Sequence, residues 1–140
     1  MREIKFRAWH KAEKKMCDVN LINFDKGAFL VGLNKAEDTY INGGKQIVVA
    51  PEDGRFCEWD EFELVEFTGL KDKNGTPIYE GDILKYSDPL YNWLISFNDG
   101  GFVAQNIGID GYLMEKFYIY QSLTSEREVI GNIYQNKELL

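Results

Sequence analysis

The segment Glu66-Phe67-Thr68-Gly69-Leu70-Lys71-Asp72-Lys73-Asn74-Gly75-Thr76-Pro77-Ile78-Tyr79-Glu80-Gly81-Asp82-Ile83-Leu84-Lys85-Tyr86 constrains this chain more than any other. It places three glycines, a proline and an Asn-Gly turn between apolar runs too short to make helices. Backbone geometry is therefore specified before any chemistry is suggested. Where Tyr79-Glu80-Gly81-Asp82 leads into Ile83 and Leu84, Gly81 permits a conformation that a side chain would block. Asp82 can accept a hydrogen bond from a nearby backbone N–H, and the whole reads as a strand-entry turn of the kind found in small SH3-like barrels.

Period-two patterning extends the β reading along the chain. Ile4, Phe6 and Ala8 alternate with Lys5, Arg7 and Trp9, which predicts a half-buried first strand. Residues 16–24 and 28–33 are β-rich on either side of Asp25-Lys26-Gly27, a hairpin turn, and a short run from Gln46 to Ala50 follows Asn42-Gly43-Gly44. Phe62 to Phe67, Asp82 to Tyr86, Tyr91 to Phe97, Phe102 to Ile107, Tyr112 to Tyr120 and Glu128 to Tyr134 read as further short strands. The strongest local signal is the hairpin in which Tyr91, Trp93, Ile95 and Phe97 share a face before Asn98-Asp99-Gly100-Gly101 turns the chain. Residues 122–127 and the tail from Gln135 each suit a helical turn. The expected fold is mostly β: a small barrel in the C-terminal half, additional N-terminal strands and few short helical turns.

The expected organisation is one domain, in which residues 1–50 form a meander, 51–61 an acidic connection, 62–134 the barrel and 135–140 a tail. Residues 52–66 hold seven acids (Glu52, Asp53, Glu58, Asp60, Glu61, Glu63, Glu66) against Arg55. They lack the D-x-D-x-D-G spacing of a calcium loop and read as solvated.

Charge narrows the partners. Residues 1–17 carry six basic groups and two acids, a net of +4, whereas residues 18–140 carry 10 basic and 21 acidic groups, a net of −11. An acidic chain is repelled by phosphate backbones unless its basic end forms one patch. Arg2, Lys5, Arg7 and Trp9 could form such a patch, with Trp9 stacking on a base, but charges on an edge strand also serve to block edge-to-edge pairing.

Candidate chemistry is sparse. Cys17 and Cys57 stand 40 positions apart with His10 as the sole histidine, which fits neither zinc nor thiol redox spacing, and both cysteines are expected to be buried apolar side chains. Glu80 and Asp82, two apart, would share a strand face as a carboxylate pair, yet such spacing is common in acidic chains. No Gly-x-Ser-x-Gly elbow surrounds a serine that His10 might serve. No apolar run approaches a membrane span and the N-terminus is charged, so a cytoplasmic protein with no membrane partner is expected.

Three blocks, Met-Arg-Glu-Ile-Lys-Phe-Arg-Ala-Trp (Met1 to Trp9), Phe67 to Leu84, and Glu-Val-Ile-Gly-Asn-Ile-Tyr-Gln-Asn-Lys-Glu-Leu-Leu (Glu128 to Leu140), together resemble the YopX family of phage and prophage proteins. They cover less than a third of the chain, in the family's order, and the middle block is the most specific. His10 departs from the acidic residue often found there, and Lys137 from a frequent proline. The resemblance implies a mostly β protein with an SH3-like barrel, and it brings no catalytic residues and no cofactor.

These readings lead to an expectation of a non-enzymatic phage or prophage accessory protein that contacts a host or phage protein, with a homo-oligomer as one form of partner. Its candidate surface is Arg7, Trp9, Tyr79, Glu80, Asp82 and Tyr86, with the aromatics as exposed anchors. The alternative is a nucleic-acid-binding module in phage replication or regulation that uses the basic N-terminal strand.

Overall fold

The computed structural model describes residues 3–23, 28–31, 40–42, 45–47, 57–58, 62–85, 91–107 and 113–140. The chain divides into two compact units, Lys5–Leu64 and Met1–Ile4 with Val65–Leu140. The expected connection at 51–61 falls largely outside the described residues, and the boundary between the units comes later, between Leu64 and Val65.

In the first unit, β1 (Phe6–His10), β2 (Lys15–Asn23), β3 (Ala28–Val31) and a short β6 (Cys57–Glu58) are antiparallel neighbours in the order β6-β3-β2-β1, while β4 (Tyr40–Asn42) and β5 (Lys45–Ile47) make a separate two-stranded ladder. The β1–β2 hairpin pairs His10 with Lys15, and Lys14 closes its turn at φ 51°. The expected hairpin between residues 16–24 and 28–33 is present as β2–β3, with Asn23 opposite Ala28. Its turn residues 25–27 lie outside the described set. A small core of Ala8 and Phe62 packs with Cys17, Val19 and Leu64.

Alternation in β1 breaks down toward its end. Ala8, Trp9 and His10 are all buried, so the expected outward face of Lys5, Arg7 and Trp9 does not persist, and Ile4, expected inside, is exposed and precedes the strand. The Glu13 N–H donates to His10 Nδ1 at 3.3 Å, His10 Nε2 lies 3.4 Å from Glu13 Oε1, and its ring packs 4.5 Å from that of Phe62. His10 therefore closes a turn. Cys17 is half-buried rather than buried, and its thiol is pushed up by that burial, against the lowering effect of Lys15.

The second unit begins within β7 (Phe62–Lys71), which pairs with β8 (Pro77–Tyr79). β9 (Asp82–Lys85), β10 (Asn92–Asn98), β11 (Gly101–Ile107), β12 (Leu113–Tyr118) and β13 (Glu128–Asn132) form a five-stranded antiparallel sheet in the order β12-β11-β10-β9-β13. A single turn of helix, α1 (Gln121–Thr124), and a 3-10 turn at Lys137–Leu139 fall where helical turns are expected. Ile78, Leu84, Trp93, Ile95 and Ala104 form the core, bordered by Leu70, Phe117, Ile119, Leu123 and Val129. Each large aliphatic side chain buried there stabilises by roughly 1.5–3 kcal/mol.

The β10–β11 hairpin matches its sequence signal closely. Asn98 pairs with Gly101 across a two-residue turn in which Asp99 has φ 50° and Gly100 φ 82°, the doubly left-handed geometry that follows the right-handed twist of the flanking strands. β7 runs on past Phe67, where the sequence suggests an end. Gly69, at φ 84°, forms a bulge between the Phe67–Tyr79 and Lys71–Pro77 pairs instead of a stop. The Thr68 hydroxyl satisfies groups around that bulge, donating to Ile78 O at 2.8 Å and accepting from Leu70 N–H at 3.1 Å.

Candidate functional site

The Tyr79-Glu80-Gly81-Asp82 turn is held from every side. Glu80 N–H donates to Glu66 O at 2.9 Å, Gly81 N–H to Ile95 O at 2.8 Å, and Ile133 N–H to Gly81 O at 2.9 Å. Gly81 sits at φ 82°, and a Cβ there would stand 2.9 Å from the Tyr134 ring. The Asp82 side chain, 4% exposed, accepts the Tyr79 N–H at 2.8 Å. Glu80 Oε1 lies 3.4 Å from the Phe97 amide. Glu80 stands in the turn and Asp82 opens β9, so the two do not line one strand face, and each carboxylate accepts from backbone.

The neighbouring loop has its own keystone. Asp72 is buried. Its Oδ1 accepts N–H groups from Asn74 and Thr76, each at 2.8 Å, and its Oδ2 accepts the Val129 N–H at 3.0 Å. Burial acts to raise its pKa, but these hydrogen bonds from Val129, Thr76 and Asn74 hold the carboxyl below the ordinary value. Around it, Lys73 N–H donates to Arg127 O at 2.8 Å, while Lys71 O accepts from Thr124 Oγ1 and Gln121 Nε2, both at 3.0 Å. The signal that could reveal this role is the placement of an Asp two residues before Asn-Gly, where its side chain reaches the N–H groups of the turn it opens.

The expected surface residues fall in both units, Arg7 and Trp9 in one and Tyr79, Glu80 and Asp82 in the other. Trp9 and Tyr79 are 9% and 6% exposed, so neither stands out as an anchor, and Trp9 offers no open ring face for a base. Tyr79 packs instead against Phe67, ring centroids 5.4 Å apart. Arg7 is half-buried, opposite Asp18 in the β1–β2 ladder with Nε 4.0 Å from its carboxylate. Tyr86 lies outside the described residues.

Among the described residues the most exposed aromatics are others. Phe97 is 49% exposed, Tyr118 59% and Tyr120 58%. Phe97 lies near the end of β10 and Tyr118 ends β12, both toward the β10–β11 turn, while Tyr120 stands two residues beyond β12, just before α1. Phe97 stands opposite Phe102 and stacks edge-on with it at 5.2 Å, whereas Tyr118 stands opposite Val103, the next residue along β11. Since adjacent strand residues face opposite ways, Phe97 and Tyr118 flank that end of the sheet from its two sides. Tyr118 lies over Gly101, where a Cβ would come within 2.8 Å of its ring, and its hydroxyl donates to Asp99 O at 3.3 Å. Lys116 Nζ and Asp99 Oδ2 pair at 2.8 Å beside it, and that hydrogen bond holds the Asp99 carboxyl below its ordinary value. Among the described residues, no three His, Cys, Asp or Glu side chains gather as metal ligands, and no helix is long and apolar enough to cross a membrane.

The family model for YopX protein matches residues 5–140. The chain belongs to the YopX family. The crystal structure of protein EF1440 from Enterococcus faecalis is similar to it, with a TM-score of 0.66 and 30% sequence identity over 100% of this chain and 99% of that one. No curated protein matches it. The middle and last blocks that suggest the YopX family in the sequence are bonded to each other in the fold: β9 pairs with β13, Asp72 with Val129, and Gly81 with Ile133. Gly131 belongs to the same arrangement, since a Cβ there would collide with the Asn136 carboxamide. These YopX blocks therefore hold a backbone junction together.

Proposed function

We infer that this YopX-family chain is a non-enzymatic phage- or prophage-encoded accessory protein whose C-terminal unit, an SH3-like barrel, binds a protein partner in the cytoplasm of the bacterial host. The observation that carries this reading is the exposure of three aromatics, Phe97 and Tyr118 toward the β10–β11 turn and Tyr120 just past β12. Rigid aromatic side chains dominate binding energy at interfaces because they bury large areas at little entropic cost. The partner surface that suits them is basic. Lys and Arg side chains are attracted to Tyr and Phe ring faces, and residues 18–140 carry a net charge of −11.

The test is capture of partners from host lysate at moderate salt, with and without nuclease, by the wild type and by Tyr118→Ala and Tyr120→Ala variants. The reading expects a protein retained in stoichiometric amount after nuclease and lost from the variants. A protein retained equally by the variants overturns the assignment of the surface. Loss of everything on nuclease treatment, with binding that weakens steeply with salt, overturns the protein-partner reading in favour of nucleic acid.

A further inference from the structure

Asn74-Gly75 is a chemically weak link in any chain, because glycine leaves its own amide nitrogen open to attack the preceding carboxamide. In that reaction Gly75 N loses its proton and bonds to Asn74 Cγ, the Cγ–Nδ2 bond breaks, and ammonia leaves. Water then opens the cyclic imide. Cleavage at Cγ yields aspartate, and cleavage at the backbone carbonyl yields isoaspartate, with an extra methylene in the main chain. The attack requires Gly75 N to leave whatever acceptor its N–H occupies and to swing toward the Asn74 side chain.

Here that nitrogen is held. Gly75 N–H donates to Asp72 O at 3.0 Å, and the amides on either side, Asn74 and Thr76, both donate to Asp72 Oδ1 at 2.8 Å. Asp72 N–H closes the loop onto Thr76 O at 2.9 Å. Lys73 N–H and Asp72 Oδ2 then fasten it to Arg127 O and Val129 N–H. Burial gives no protection, because Asn74 and Gly75 are exposed and a Cβ on Gly75 would meet nothing within 4 Å. Water reaches the site freely, and only the hydrogen bonds restrain it.

We propose that Asn74 is a latent deamidation site gated by the Asp72 cradle, so that its reaction is confined to molecules in which this loop has come away from β13. The product damages the gate that failed. A carboxylate at position 74 is repelled by Asp72, and an isoaspartyl linkage lengthens a loop whose amides are matched to one carboxylate. Deamidation thus converts a transient opening into a permanent one, and it marks aged chains at the loop between β7 and β8, beside β13.

The experiment is incubation of the full chain at mildly alkaline pH, followed by digestion and mass spectrometry of the peptide that contains Asn74, with isoaspartate scored separately. Folded wild type should convert at least about tenfold more slowly than the same chain in denaturant, since local openings cost free energy. Asp72→Ala that remains folded by circular dichroism should move Asn74 toward the unfolded rate. If Asp72→Ala does not fold, hydrogen exchange at the Gly75 amide of the wild type replaces it, and protection there should match the protection from deamidation. Conversion in folded wild type at the unfolded rate, or Asp72→Ala folded with no acceleration, overturns the proposal. Gly75 exchange that is strongly protected while Asn74 converts freely does so as well.

Discussion

From Glu66 to Lys85 the side chains that invite a chemical reading are turned inward, whereas around the β10–β11 turn the aromatic ones are turned out. Asp72, Tyr79 and Asp82 are buried, and both carboxylates accept main-chain N–H groups. Phe97 on that hairpin, Tyr118 at the end of β12 and Tyr120 just beyond it are about half exposed. A recognisable motif and an available surface are therefore separate properties. The glycines and acids of the middle block serve backbone geometry, whereas a partner would meet side chains at the exposed end of the sheet.

The largest effect is expected in the core beneath both regions. Trp93→Ala removes a buried ring that packs edge-on with Phe117 at 4.9 Å and lies under the Arg127 guanidinium at 4.8 Å, and should cost about 4 kcal/mol in a urea titration. Asp72→Ala deprives three amides of one acceptor and should cost about 2–3 kcal/mol. Its effect has a pH signature. Because the folded carboxyl is depressed, its contribution is fully present above the ordinary aspartate range and is lost as pH falls through the lower folded value. Wild type should therefore lose urea midpoint on acidification more steeply than Asp72→Ala. An identical acid limb in the two would show that the carboxylate is not held as described.

Glycine substitutions sharpen the contrast between a packed turn and an open one. Gly81→Ala meets both a left-handed backbone and the Tyr134 ring and should cost about 2–3 kcal/mol, whereas Gly75→Ala meets only the backbone penalty, about 1 kcal/mol. Equal costs in thermal unfolding would mean that Tyr134 moves aside freely. The smallest effect is expected at the exposed corner. Tyr118→Ala gives up one long hydrogen bond and its cover over Gly101, and should shift stability by no more than about 1 kcal/mol.

The fold was legible where local chemistry decides it. Asn98-Asp99-Gly100-Gly101 announces its turn because few residues accept positive φ in succession, and the strands on either side alternate cleanly. Legibility fails where long-range packing decides. Trp9 follows Ala8 in a strand whose alternation predicts one dry face, yet both are buried. Gly69 reads as a stop, but the Thr68 hydroxyl lets β7 continue through a bulge. Pro77 within β8 is tolerated because that strand ends its sheet, where a missing N–H costs no ladder bond. The surface was the least legible part. Phe97 continues the apolar face of Trp93 and Ile95 in sequence, and only the end of the core leaves it exposed, while Tyr79 and Trp9 look like anchors until neighbouring elements cover them.

One sample would test the division of labour most directly: the Phe97→Ala/Tyr118→Ala/Tyr120→Ala triple variant, melted and then used to capture the nuclease-resistant partner of the wild type. The account predicts a cooperative transition within a few degrees of wild type and loss of the partner. A variant that melts as the wild type does and still holds the partner would place recognition elsewhere on the chain and contradict the account.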